Sequence, residues 1–445
     1  FINEKNQINL FYQLMENDNS EKINKDLIPK GGILITICFY IFGIDSLLGV
    51  NSMLAQLNFF KYFQSDLNPF LIIPLLNNSS NIPLQLLILI KKKIFPIKIQ
   101  LVTCIILSIF SITFLPFNVF LFQNNIFGIL ISVILVMLLG ITGALIQNGF
   151  YSLSSYFPLN QIVYLSTGQG LCGIITAILS LIILFFVNTG NDEIDYRNGA
   201  LIFFGLALLI SIICLISLIY LFRTDYCKYY LLSLDTHDDK NNGLINIEDK
   251  DISIDENKDK DIIANSNKKD INMEEISFWD LFKILKEINF LIFYCYLITF
   301  ALYPYVCTNQ ELFNSGKFRV NIIIVIFCCF NTIGRFLMKF FKPTLKLIYI
   351  IVLGRTIFLF ILIFNHYCNM QLNFNIYITS IILIISVIFF SMSNGLSTTL
   401  CIGLAPTLVS PKIKGKAGSS VCFAMGLGSV AGSCVDRKST RLNSS

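Results

Sequence analysis

Three ionisable side chains stand inside long apolar runs: Asp45 in 33–54, Arg335 in 319–341 and Arg355 in 345–367. Each costs at least about 2.5–3.5 kcal/mol at the centre of a lipid-facing helix, so each must turn inward and find a partner. Such groups either lock helices together or meet a polar solute, or a proton, on its way through. A second cluster is neutral. Gly140, Gly143, Gln147, Asn148 and Gly149 are followed by Ser166, Thr167, Gly168, Gln169, Gly170 and Gly173. Glycine at these spacings lets helices approach closely, a packing role for Gly143, Gly168 and Gly170. The Gln147 amide offers paired donors and acceptors suited to a polar solute, with a helix–helix hydrogen bond as the plain alternative. No other chemistry is spaced for work. His237 and His366 stand far apart, and most of the thirteen cysteines lie in apolar runs, where they read as small packing residues. The sequence holds no catalytic set, metal site or cofactor fingerprint.

The elements that position these residues are membrane helices. Only 14% of the 445 residues are charged, 55% are hydrophobic and the mean hydropathy is +0.69. Soluble chains carry about 25% charge, and the charges here clump, leaving runs of about 20 residues that can cross a bilayer. Eleven spans are expected, at 33–54, 67–90, 99–121, 126–150, 161–188, 199–222, 285–307, 319–341, 345–367, 374–402 and 415–435. The second, broken by Pro74, Asn77, Asn78 and Pro83, is expected to be a kinked helix. With the N-terminus cytosolic, 24 Lys and Arg fall on inside segments and 4 on outside ones. That bias places the N-terminal segment 1–32 inside and the C-terminus outside. The expected host is the plasma membrane.

Residues 223–284 divide six spans from five. Rich in Asp, Glu, Lys and Asn, this stretch is expected to be a disordered cytosolic loop. Its end, Ile276–Ile288, is amphipathic and reads as a surface lead-in to span seven. Two bundles, 33–222 and 285–435, would then face a central path and rock about a midplane site. Residues 436–445 resemble a translated sequencing adapter and are set aside, which would leave the last span truncated. By helical rise, Asp45 lies about 18 Å and Arg355 about 15 Å from the cytosolic ends of their spans, and Arg335 about 9 Å. Asp45 and Arg355 are therefore level, a candidate gating or charge pair.

The run Gly143-Ala-Leu-Ile-Gln147-Asn-Gly-Phe-Tyr and the later Ser166-Thr-Gly-Gln-Gly-Leu171 resemble spans four and five of equilibrative nucleoside transporters. Phe330-Asn-Thr-Ile-Gly334-Arg335 resembles their span-eight F-D-x-x-G-R motif, and Ser391-Met-Ser-Asn-Gly395 their span ten. Ala417-Gly418 and Phe423–Gly432 resemble span eleven; Gly43–Asn51 matches span one more loosely. In order, these motifs cover about 400 residues. The resemblance implies a fold related to the major facilitators and passage of nucleosides or nucleobases down their gradient. It places Gln147, Asn331, Arg335 and Val50 on the substrate path, with Leu47 and Asn51 beside Val50, and gives Gly334 a packing role.

Two departures matter. The span-eight acid is Asn331 here, and the span-one Pro-Trp pair is Gly49-Val50. A carboxylate that would engage a sugar hydroxyl is gone, and so is a stacking face for a base. Asp45 stands where the family has a small residue and is expected to restore negative charge to the cavity. Too few inward cations are present for a phosphorylated cargo, so a purine is the expected substrate. Nothing marks nucleic acid as a partner; membrane lipid is one. Passive transport is the default, and Asp45 alone would suffice for proton coupling. A membrane enzyme would need paired acids or a His cluster, which are missing. A carrier of another small neutral or weakly basic solute, or a transport-inactive sensor, are the alternative readings.

Overall fold

The computed structural model describes residues 32–442 except 68, 91–95, 124, 187–191, 232–277, 304–306, 308, 309, 311, 314–318 and 371–374. The expected N-terminal segment (to residue 31) and most of the expected central loop lie outside the described residues. Those described are helical almost throughout: α1 (Ile33–Ala55), α2 (Leu57–Phe63), α3 (Pro69–Ile90), α4 (Ile97–Leu121), α5 (Ile126–Ser154), α6 (Leu159–Phe186) and α7 (Asp192–Arg223) form the first half. After the break come α8 (Phe278–Ile284), α9 (Lys286–Leu302), α10 (Arg319–Leu337), α11 (Leu345–Gly354), α12 (Thr356–Met370), α13 (Ile376–Leu404) and α14 (Lys414–Leu442).

Local chemistry sets several boundaries. Asn125, Thr344 and Asn375 cap α5, α11 and α13, their side-chain oxygens accepting from the backbone N–H of Phe127, Leu347 and Tyr377. Among the described residues, nine helices are long and apolar enough to cross a membrane, with α11 and α12 counted as one, and a tenth if the bent pair α8–α9 is one span. The 22-residue α3, at the position of the expected second span, runs as one helix through its Pro and Asn residues, with Asn77 and Gln85 buried. Large apolar side chains such as Ile126, Ile216, Ile350 and Phe360 point outward, as lipid-facing residues do.

The expected loop is shorter than 223–284. A helical turn at 225–231 follows α7, where Tyr226 stacks on Phe157 at 5.6 Å and its hydroxyl accepts from Gln161 Nε2 at 3.2 Å. Burial pushes the Tyr226 hydroxyl up to about 12. At the other end, α8 meets α9 at 79°, with Leu281 buried and Trp279 exposed, so the amphipathic lead-in is a separate helix.

The helices form a six-plus-five pair of bundles. In the first, α1 packs on α5, α6 and α7, and α4 on α5 and α7; in the second, α9 packs on α14 and α10 on α13. The bundles meet along α6–α10, α5–α14 and α3–α14. Their apolar cores show where they join. On the side where α1 begins (the near side), one continuous cluster runs across both bundles, from Phe39, Phe150 and Leu165 to Leu291, Leu400 and Val421. On the far side the core is split. Leu48, Phe60, Leu115 and Leu139 form one cluster in the first bundle, and Leu302, Phe327, Leu383 and Phe390 another in the second. The protein is closed on the near side and divided on the far side.

Candidate functional site

Four glycines bring the site's helices together. A Cβ on Gly43 would strike the Leu165 carbonyl and one on Gly168 the Tyr40 carbonyl, so α1 and α6 cross backbone to backbone. Gly334 meets the Met392 carbonyl and Gly395 the Asn331 carbonyl in the same way, which seats α10 on α13. Between bundles, a Cβ on Gly170 of α6 would lie 2.6 Å from Thr332 Oγ1 of α10; within the first bundle, one on Gly143 of α5 would lie 3.3 Å from Val50 Cγ2 of α1.

Over these crossings lies a polar network that joins the bundles. Arg335, near the end of α10, donates through Nη1 to Ser166 O at 3.0 Å, Ser166 Oγ at 3.1 Å and Gln169 Oε1 at 3.1 Å, all on α6. The Tyr151 hydroxyl of α5 donates to the same Gln169 oxygen at 2.5 Å, and Gln169 Nε2 donates to Ser46 Oγ of α1 at 3.1 Å. Ser166 and Thr399 of α13 share a hydroxyl hydrogen bond of 2.8 Å. The partners that Arg335 finds are neutral acceptors held by α6.

Arg355 sits at the break between α11 and α12, 1% exposed. Its Nη1 donates to Asn394 Oδ1 at 3.2 Å and Cys295 O at 3.1 Å and contacts Cys295 Sγ, while Nη2 donates to Thr299 Oγ1 at 2.8 Å. The guanidinium lies 4.7 Å from the Phe390 ring centre. All these partners belong to the second bundle.

Asp45 is engaged elsewhere. Its carboxylate accepts from the Ser211 hydroxyl of α7 at 2.5 Å and from Cys214, inside the first bundle. The expected Asp45–Arg355 pair does not form: equal depth left helix rotation open, and the two residues turn into different bundles.

The remaining predicted residues divide. Asn331 is half-buried one turn from Arg335 and accepts at Oδ1 from Asn394 Nδ2 at 3.1 Å. Gln147 is 8% exposed. Leu47 and Val50 are half-buried beside the far-side core, and Asn51 Nδ2 reaches Cys172 Sγ at 3.4 Å. Sequence reasoning missed Ser211, Thr299 and Cys295, and it used Asn394 only as part of a motif. A lone hydroxyl or thiol in an apolar run carries no signal of the charge it will meet. The cysteines are free thiols, almost all buried or half-buried.

Two helical bundles closed over buried arginines held by neutral acceptors define a polytopic carrier of the major facilitator fold. Among solved structures, the proton:xylose symporter XylE bound to 6-bromo-6-deoxy-D-glucose aligns with a TM-score of 0.63 at 14% identity, covering 93% of this chain and 90% of its own. The Escherichia coli fucose:proton symporter FucP aligns at 0.56 and 12% identity, covering 92% of each chain. The nucleoside transporter family profile matches residues 133–436. Human equilibrative nucleoside transporter 1 is 23% identical over 317 residues, covering 68% of this chain and 67% of its own. The chain belongs to the nucleoside transporter family. Its relatives are transporters, not enzymes.

Proposed function

We propose that this protein carries nucleosides or nucleobases, purines above all, down their gradient by alternating access. The observation that carries the reading is one-sided closure. The near-side core and the Arg335 network span both bundles while the far-side cores stay separate. An alternating carrier needs such a seam, because rocking the bundles must break it and form its counterpart opposite. Neutral acceptors suit this work, since a buried ion pair would cost several kcal/mol to separate. Gln147, Asn331, Arg335, Val50, Asn51 and Leu47 are the residues proposed to meet the solute. The charge bias makes the near side cytosolic, the C-terminal end of α14 external, and the plasma membrane the proposed host.

The test is uptake of labelled adenosine, inosine, adenine and hypoxanthine by cells lacking their own carriers. Saturable uptake with mutual competition is expected. No uptake of any of the four by protein shown to be at the surface would overturn the reading in favour of another solute or a sensor.

A second reading, proton coupling, rests on Asp45. Ser211 and Cys214 of α7 are its hydrogen-bond partners, and the other titratable group facing it is Cys172 of α6. Among the described residues no cation neutralises it, so a proton is its natural counter-charge. Coupled uptake would rise as external pH falls, and Asp45→Asn would flatten that rise; a flat wild-type profile would leave transport passive.

A further inference from the structure

We infer that Arg355 and Asn394 fix the Asn331 carboxamide so that it offers the solute an N–H donor rather than an oxygen acceptor. The inference rests on the carrier reading above and assigns a specificity to the same path.

A guanidinium only donates. Arg355 Nη1 donates to an Asn394 side-chain atom at 3.2 Å, so that atom is the amide oxygen. The Thr299 hydroxyl, which donates to the same atom at 2.8 Å, agrees. The other end of the Asn394 amide is then its NH2, and it lies 3.1 Å from Asn331. A donor must face an acceptor, so the Asn331 atom there is Oδ1. That leaves the Asn331 NH2 to point away from α13, with no protein acceptor among the described residues.

Asn331 lies one helical turn beyond Arg335, on the far-side flank of the seam, and is half-buried where Arg335 is buried. From α10, then, two fixed donors face the path: the Asn331 amide and, deeper, the Arg335 guanidinium. The matching solute edge accepts, as a ring nitrogen or a carbonyl does. A ribose hydroxyl must also place its own proton; on α10 the Asn331 oxygen is already taken by Asn394, and the Thr332 hydroxyl is turned against Gly170 of α6. The oxo-purine base is the favoured chemical class over its riboside. Arg355 and Asn394 are positioning residues, acting through Asn331.

The test exploits a variant that leaves Asn331 in place. Asn394→Asp keeps an acceptor for Arg355 and Thr299 but has no NH2, so Asn331 must turn its own NH2 toward Asp and present Oδ1 to the path. The measured quantity is the ratio of inhibition constants for hypoxanthine and inosine. Asn394→Asp is expected to shift it toward inosine by about five- to tenfold, the worth of one hydrogen bond, and Asn331→Asp to shift it the same way. A purely structural role for Asn394 would lower uptake of both solutes together and leave the ratio alone. An unmoved ratio in both variants, from protein that still transports, overturns the inference and spares the carrier reading. Absence of uptake by the wild type overturns both.

Discussion

Arg335 and Arg355 share a bundle, a residue type and near-complete burial, and neither meets a carboxylate, yet they hold different things together. Arg355 ties α9, the α11–α12 break and α13 within the second bundle, through Cys295, Thr299 and Asn394. Arg335 reaches out of its bundle to Ser166 and Gln169. In the proposed carrier cycle the first set of bonds would persist through a rocking motion, while the second would break in it. A buried arginine is therefore a structural lock or a working part according to which side of the moving seam its acceptors lie.

The strongest way to break the comparison is to remove each cation in turn. Arg335→Met is expected to reduce purine uptake more than tenfold at unchanged surface level, because the near side loses the bonds that close it. Arg355→Met is expected to act first on stability. It leaves the buried acceptors of Asn394 and Thr299 short of a donor, at about 1–3 kcal/mol each. Thermal unfolding in detergent would show a lower midpoint for Arg355→Met and little change for Arg335→Met; the reverse ranking would refute the division.

A smaller and more local effect is expected at the seam glycine. Gly170→Val should push Thr332 away and weaken closure, cutting uptake several-fold, whereas Gly334→Val meets backbone at Met392 and should abolish the folded protein. Surface biotinylation with uptake separates the two. Smaller still, Gln169→Leu removes one of three acceptors on Arg335 Nη1, about 1 kcal/mol or a several-fold change in transport rate. If Gln169→Leu matched Arg335→Met in severity, Gln169 itself would be touching the solute.

Much of this was legible in the sequence. Charge-free runs of about 20 residues gave the helices, because a backbone in lipid has few other ways to satisfy its polar groups. The same sparsity marked Asp45, Arg335 and Arg355 as inward-facing, and the Lys/Arg bias supplied an orientation. The motif around Phe330–Arg335 pointed to the seam helix, and the glycines of α6 and α10 to the closest crossings.

The pairings were not legible, and the reason is geometric. Sequence position along a span fixes the height of a residue, but its azimuth depends on how the helix is rotated against its neighbours. Asp45 and Arg355 agree in height and diverge in azimuth, one toward Ser211 of α7 and the other toward Thr299 of α9. Composition thus determined that this is a many-span helical membrane protein with charges turned inward. Only the packing of helix on helix decided that Arg335 closes against α6, that the Asn331 oxygen is taken by Asn394, and that among the described residues the apolar core is continuous between the bundles on one side.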